Sequence, residues 1–538
     1  MKLGTRSAHV DTFTRENLPP RAQWPDFIFT LPELHYPATL NCAAELLDRH
    51  VEAGQGARRC ILTDAEEWSY ADVLARSNQV AHALIDEMGL VPGNRVLLRG
   101  PNNPWLVASW FGVIKAGGVA VTTMPLLRQR ELETMIDIAG VTMAICDHRF
   151  MTDLDAAAPD GFQIFAYGGR DQDDLTNVAV KKKPDLKNVP TAADDVCLLA
   201  FTSGTTGKPK ATMHFHRDVL AIADTFSRHV LRPAPDDLFA ASPPLAFTFG
   251  LGQNVVFPFR AGASVYLLEQ PSPKALLEAV DRHHISVLAT APTAYRAMLP
   301  DLPAANVRSL RACVSAGETL PRATWDAVHE ASGLRIIDGI GSTEMLHIFI
   351  SAAGSDIRPG STGRAVPGYV AEVQDPDGRP VKDGELGRLA VKGPTGCRYL
   401  RGDRQATYVQ GGWNVTGDVY LRDAGGYFHY QARADDMIIS SGYNIAGPEV
   451  EEALLRHPAV AEAAVVGVPD EERGMIVKAV VVLRGGSDVG PEPAKTLQDF
   501  VKSQIAPYKY PRVVEFADSL PRTPTGKLQR FRLRETAG

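Results

Sequence analysis

Between Arg95 and Glu344 short β-rich runs alternate with longer helical patterns, and this alternation restricts the fold more than any other feature of the chain. RVLL (95–98), VAVTTM (119–124), TMAICD (142–147), SVYLL (264–268) and SVLAT (286–290) read as strands, while NPWLVASWFGVIKAG and PKALLEAVDRHH read as helices. Strands separated by helices need crossover connections, so the pattern predicts parallel sheets with helices packed on their faces. After IIDGIGSTE (336–344) the rhythm changes. DPDG (375–378), KDGELG (382–387) and RDAGGY (422–427) punctuate hairpin-like pieces of a β-rich subdomain. A last segment of about a hundred residues opens with DDMIISSGYNI and contains the helix GPEVEEALLRHP and the strands AEAAVVGV and VKAVVVL. The expected fold is α/β: a large N-terminal domain of parallel and mixed sheets flanked by helices, with a β-rich subdomain, over 1–434, and a small α+β domain over 435–538.

A chain of 538 residues is too long for one hydrophobic core, which agrees with that division. Its 45% hydrophobic and 22% charged content is that of a globular protein, so collagen-like, coiled-coil and disordered readings fail. A net charge of −7 offers no domain-wide basic surface for a nucleic-acid backbone. The longest apolar run, LVASWFGVIKAGGVAV, is interrupted by Lys115 and is too glycine-rich and short for a membrane span. The six cysteines stand singly, with no CxxC pair and no matching histidine spacing, and read as buried thiols of a cytoplasmic protein.

The chemistry is concentrated in a few loops. The strand DVCLLAF runs into Thr202, Ser203, Gly204, Thr205, Thr206, Gly207 and Lys208, placing hydroxyls, glycines and a lysine at a strand's carboxyl end, where open α/β sheets bind ligands. Glycines let backbone amides approach a phosphate, and the ammonium neutralises it. Only Thr205 and Thr206 separate the two glycines, and Pro209 follows Lys208, so this is not a Walker A loop. GIGSTE (339–344) and GLGQNV (250–255) each lack the third glycine of a dinucleotide fingerprint. Between Ser242 and Phe259 the chain carries no acidic residue and holds Phe247, Phe249 and Phe257.

TSGTTGKPK, DGIGSTE, TGD (416–418), ARADDMIISSGYNI (432–445) and PTGK (524–527) occur in the order seen in the superfamily of acyl-CoA synthetases, stand-alone adenylation domains and luciferases, which this chain resembles from about residue 40 to about 534. The resemblance implies that a carboxylate attacks the α-phosphate of ATP to give an acyl adenylate and pyrophosphate, after which the thiol of coenzyme A takes the acyl group. It places Thr202 to Lys208 around the β- and γ-phosphates, Thr343 at the α-phosphate, and Glu344 with Thr202 on Mg2+. Gly317, Glu318, Asp338, Gly339 and Ile340 would line the adenine, and Asp418 and Arg433 the ribose. Lys527 would bridge the carboxylate and the α-phosphate. Asp435 corresponds to the hinge of a mobile small domain, and Gly442 with Tyr443 to the coenzyme A tunnel. Two departures stand out: Ile340 where relatives commonly have tyrosine, and Ala432 before Arg433 where they have glycine.

GSTEMLHIF and VDTFTRENLPPRAQWPDF look like benzoate-CoA and 2-aminobenzoate-CoA ligases, the latter more closely. In the benzoate type the ring lies among positions matching Thr248, Phe249, Gly341 and Ile348, with a histidine where this chain has Ala353. An α-amino acid would need an acidic partner for its ammonium in the 242–259 segment, and none is present. The expectation is therefore an aryl-acid:CoA ligase, with a stand-alone enzyme loading a carrier protein and a catalytically idle homologue as alternatives. Its partners would be small molecules, with neither nucleic acid nor membrane, and a homodimer is allowed. His347 reads as a packed core residue.

Overall fold

The computed structural model describes residues 4, 6–202, 209–402, 404–434, 436–440, 443–470, 473–485, 490–523 and 528–535. The predicted alternation resolves into two separate sheets. One has the order Gln163–Tyr167, Met143–Asp147, Arg95–Arg99, Val119–Thr123, Val196–Thr202 and Lys210–Phe215, parallel except for the last strand, which folds back on its neighbour as a hairpin. The other runs Arg364–Ala365, Ile348–Ser351, Ile336–Gly341, Ala312–Ser315, Val287–Thr290, Leu238–Ala241, Ser264–Tyr266, Arg59–Leu62 and Glu67–Ser69, with a parallel centre and antiparallel edges. Parallel strands covered on both faces need apolar residues at nearly every position. Met143–Asp147 and Val119–Thr123 are accordingly buried throughout.

The helix Pro104–Lys115 shows how the interior is built. Asn103 accepts the Leu106 N–H at its start, Pro104 occupies the first turn, where no amide donor is needed, and every residue except Trp105 is buried. It packs on Tyr70–Met88, which opens with Ser69 and Asp72 bonding each other's backbone N–H. This is the apolar run set aside above as a membrane segment. Lys115 is fully buried and its Nζ lies 2.6 Å from both carboxylate oxygens of Asp48. Among the described residues no helix is long and apolar enough to cross a membrane.

The β-rich subdomain pairs Val370–Gln374, Leu386–Lys392, Trp413–Arg422 and Val409–Gln410 in that order, with Phe428–Arg433 beside Trp413–Arg422. The small domain places Tyr443–Ile445, Ile438–Ser440, Gly474–Leu483 and Val460–Asp470 in one sheet, with Val513–Phe516 parallel to Gly474–Leu483. Its helices Gly447–Leu455 and Pro491–Gln504 bury Val450, Leu454, Leu497 and Val501 against Ile438, Val465, Val477 and Val481. The small domain thus has a core of its own, as the composition of its apolar runs implied.

Candidate active site

Two parallel strands of the larger sheet end side by side at Thr290 and Ser315, and the next carries Asp338 in register with them before running on to Gly341. Ligands of open α/β sheets bind at this carboxyl edge. Ser315 Oγ and Asp338 Oδ1 are buried there and find no partner among the described residues. Burial pushes the Asp338 carboxyl up to about 8, against the pull of the Gly339 N–H. After Ser315 the chain turns through Gly317, whose φ of +92 suits glycine, to Glu318. The Glu318 carboxylate is engaged: Thr293 Oγ1 donates to Oε2 at 2.5 Å, and Arg522 of the small domain donates to Oε1 at 3.1 Å.

The strand carrying Asp338, Gly339 and Ile340 ends at Gly341, which lies against the His347 backbone so closely that a Cβ would stand 2.7 Å from its carbonyl. The intervening turn presents Thr343 and Glu344. Ser342 Oγ accepts the Met345 N–H at 3.2 Å, and Leu346 takes a left-handed conformation, φ +69, that an ordinary side chain adopts only under constraint. Thr212 Oγ1 lies 2.9 Å from His214 Nε2 and 3.4 Å from the Thr343 carbonyl, so the hairpin Val196–Thr202 and Lys210–Phe215 is docked on this turn. Thr202, at the end of its strand, is held opposite Lys210. Burial and the charge of Arg404 hold the Lys210 ammonium below its ordinary range, and Glu344 opposes them. Tyr399 donates to Glu344 Oε1 at 2.5 Å, leaving Oε2 without a hydrogen-bond partner among the described residues. An unengaged carboxylate oxygen is the kind of hard donor that Mg2+ accepts. Nearby, Asp418 is buried, which raises its carboxyl, while Arg433 Nη1 opposes this from 3.1 Å.

On the acyl side, the short helix Thr248–Leu251 brings Phe249 to 5.7 Å from the His347 ring, and Phe226 and Phe257 flank the same ring at 5.4 and 4.6 Å. Both His347 nitrogens are buried, and burial drives the imidazole down to about 3 against the pull of the Phe249 backbone, so it is neutral. Gln253 is fully buried with both polar atoms unpartnered among the described residues. Ile348 covers Gly339, where a Cβ would meet its side chain at 2.8 Å. Phe249, Ile340 and Ala353 are partly buried against the core of the large domain. His347 is packed, as expected, and among the described residues the Phe249 backbone is the one polar group that bears on its ring.

Thr202, Gly317, Glu318, Asp338, Gly339, Ile340, Gly341, Thr343, Glu344, Asp418 and Arg433 lie on the strands and turns described above. Ser203, Gly204, Thr205, Thr206, Gly207, Lys208, Asp435, Gly442 and Lys527 lie outside the described residues, as does the side chain of Tyr443. Three residues escaped the sequence reading: Lys210, Tyr399 and Arg522. Only Lys210 had a signal, as the second lysine of KPK. The six cysteines are free and buried. Cys42, Cys197 and His216 come within 4.8 Å of one another, yet His216 Nδ1 already accepts the Cys42 N–H at 3.1 Å, so its lone pair is occupied.

The chain is similar to known proteins along most of its length. The AMP-binding enzyme family matches residues 47–399, and the AMP-binding enzyme C-terminal domain matches 449–527. The benzoate–CoA ligase of Thauera aromatica is 36% identical over 94% of this chain and 98% of its own length. The 3-hydroxybenzoate–CoA ligase of Aromatoleum sp. (strain CIB) is 32% identical over 92% and 97%. The crystal structure of the anthranilate CoA ligase AuaEII with anthranoyl-AMP superimposes with a TM-score of 0.89 at 34% identity, covering 94% of this chain and 99% of that one.

Proposed function

From the premise that this chain belongs to the AMP-binding enzyme family and is an AMP-forming aryl-acid–CoA ligase, we propose that it activates 2-aminobenzoate, with benzoate and small ortho-substituted benzoates as poorer substrates. The observation that carries the choice is the surroundings of His347. Three phenylalanines and a neutral imidazole favour a flat apolar ring bearing an uncharged polar substituent, and the 242–259 segment has no acid to meet an ammonium. An ortho-amino group bonds its own carboxylate, which makes it cheap to desolvate. Thr248, Phe249, Gly341, Ile348 and Ala353 would surround the ring.

The residues divide the work as follows. Thr202 through Lys208 would hold the β- and γ-phosphates, Thr343 would meet the α-phosphate, and Glu344, bonded by Tyr399, would hold Mg2+ together with Thr202. When bound, that ion offsets phosphate charge. Ser315 and Asp338 offer unpartnered polar atoms to the adenine beside Gly317, Gly339 and Ile340, and Asp418 with Arg433 takes the ribose. A carboxylate oxygen then attacks the α-phosphorus as the bond to pyrophosphate breaks. Lys527 neutralises the charge gathered there. In the second half-reaction the coenzyme A thiol, losing its proton, attacks the acyl carbon and AMP leaves. The boundary is taken at 434/435, with Asp435 as hinge and Gly442 and Tyr443 beside the pantetheine. No protein nucleophile is required, so the site works by positioning and charge neutralisation.

The test is a panel of aryl, fatty and α-amino acids assayed for AMP formation with free coenzyme A. 2-Aminobenzoate should lead and phenylalanine should be inert. A preference for a fatty acid, with no benzoate turned over, would overturn the assignment. Lys527→Ala should lower acyl-adenylate formation about 100-fold or more while sparing thioester formation from supplied acyl adenylate.

A further inference from the structure

Gln253 is fully buried, and neither Oε1 nor Nε2 of its amide finds a hydrogen-bond partner among the described residues. Gln405, buried almost as deeply, shows the ordinary arrangement: it accepts the Tyr399 N–H at 2.9 Å and donates to the Cys397 carbonyl at 3.0 Å. An amide shut away from water with its bonds unmade costs stability, and its presence calls for a partner that binds later. The helical run from Thr248 to Ala261 fixes where this amide stands. Side chains about one turn apart share a face, and three of the faces are accounted for. Gly250 and Asn254 lie on the Pro243–Pro244 loop, where a Cβ at Gly250 would collide with the Pro244 carbonyl and Asn254 Nδ2 donates to the Pro243 carbonyl at 3.1 Å. Gly252 and Phe257 lie on the His347 ring, 4.6 Å from the Phe257 ring. Leu251 and Val255 enter the main core. Phe249 and Gln253 share the face that remains, between the loop and the His347 ring. Phe249 is partly exposed there, and Gln253, one turn on, is enclosed.

Phe249 is one of the residues assigned above to the aryl ring, so a ring lying against it is next to Gln253. An ortho-amino group carries two N–H bonds. One closes on the ring's own carboxylate, and the other needs an acceptor in a site that excludes water. A glutamine Oε1 accepts such a bond without placing a charge beside the ring. We propose that Gln253 is a specificity-determining residue of the aryl-acid site: its amide is unpaired in the free enzyme and is paired by the amino group of bound 2-aminobenzoate. Benzoate has no group to pair it and leaves the amide buried and unbonded, which lowers its standing against the amino acid analogue. The inference rests on the aryl-acid reading given above and adds the residue that reads the substituent.

The experiment measures kcat/KM for 2-aminobenzoate and for benzoate, read as AMP formed with free coenzyme A, in the full-length enzyme and in Gln253→Met. Methionine is close to glutamine in length and volume and lacks the amide. The preference for 2-aminobenzoate over benzoate should fall about tenfold, the scale of one buried polar group losing its partner, while KM for ATP stays within about twofold. Without ligand, Gln253→Met should unfold in urea at a midpoint no lower than that of the unmodified enzyme, because the substitution removes an unpaired amide. A glutamine with a purely structural role gives the opposite pair of results, an unchanged preference and a lower midpoint. Gln253→Leu is measured alongside, so that a clash of the methionine is not mistaken for a lost hydrogen bond, and whichever variant folds decides. An unchanged preference, or destabilisation of both variants, would overturn the proposal. An unmodified enzyme that prefers benzoate would overturn the choice of 2-aminobenzoate and the role of Gln253 with it. One that turns over neither acid would overturn the functional reading itself, whereas a preference for 2-aminobenzoate that survives in the variants overturns the role of Gln253 alone.

Discussion

Asp338 leads to a quantitative prediction. Its carboxyl is held at about 8 by burial, and Oδ1 has no partner among the described residues. A purine amino group donating to that oxygen favours the ionised form and lowers the pKa. At pH 7 a group with a pKa of about 8 is about 0.9 protonated before binding. If the new hydrogen bond lowers it by about two units, about 0.1 remains protonated, and AMP binding releases about 0.8 proton from this residue. The sign follows: the ligand selects the carboxylate, so affinity climbs as pH rises from about 6 to about 8 and levels off above. Titration calorimetry at pH 7 in buffers of different ionisation enthalpy measures the released protons directly. Subtracting the value for Asp338→Asn removes the contribution of the nucleotide's own phosphate. The difference should be about 0.8 at pH 7 and fall toward about 0.1 at pH 9, while IMP, which lacks the amino group, should show none. Equal proton release by the unmodified enzyme and Asp338→Asn would refute the reasoning.

Lys115→Met should destabilise the protein by about 3–5 kcal/mol in urea unfolding at pH 7, because Asp48 loses a buried cation bonded to both its oxygens; adding Asp48→Asn should recover most of the loss, and a cost below about 1 kcal/mol would contradict the pairing. Tyr399→Phe should slow acyl-adenylate formation up to about tenfold and raise the Mg2+ concentration needed for half-maximal rate. An unchanged Mg2+ dependence would show that Tyr399 does not orient Glu344. Gly252→Ala would put a Cβ 2.4 Å from His347 Cδ2, so the ring must shift, and KM for the aryl acid should rise while KM for ATP holds.

What the sequence discloses, and what it hides, follows from the range of each interaction. Strand–helix alternation is local, so the runs at 95–98, 119–124 and 142–147 return as strands within a residue or two, and Thr202 of TSGTTGKPK and Gly341 of GSTE close their strands. Sheet membership is not local. Ser264–Tyr266 lies between Leu238–Ala241 and Arg59–Leu62, and no nearby pattern marks the pairing with a strand some two hundred positions earlier. Lys115 looked like a break in an apolar run because its partner, Asp48, is 67 positions away. The Arg522–Glu318 link spans 204 positions, and the Cys42–His216 contact 174. His347 was legible as a buried residue from its apolar neighbours. Its apolar surroundings depend on Phe226, Phe249 and Phe257 converging from another part of the chain.

The most direct measurement of the central claim follows the substrate's own oxygen. With 2-aminobenzoate labelled with 18O in both carboxylate positions, together with ATP, Mg2+ and coenzyme A, attack on the α-phosphorus followed by acyl transfer moves one labelled oxygen into AMP and leaves the other in the thioester. Mass spectrometry should find a single 18O on the phosphate of AMP and none in pyrophosphate. Unlabelled AMP alongside labelled inorganic phosphate would contradict the account.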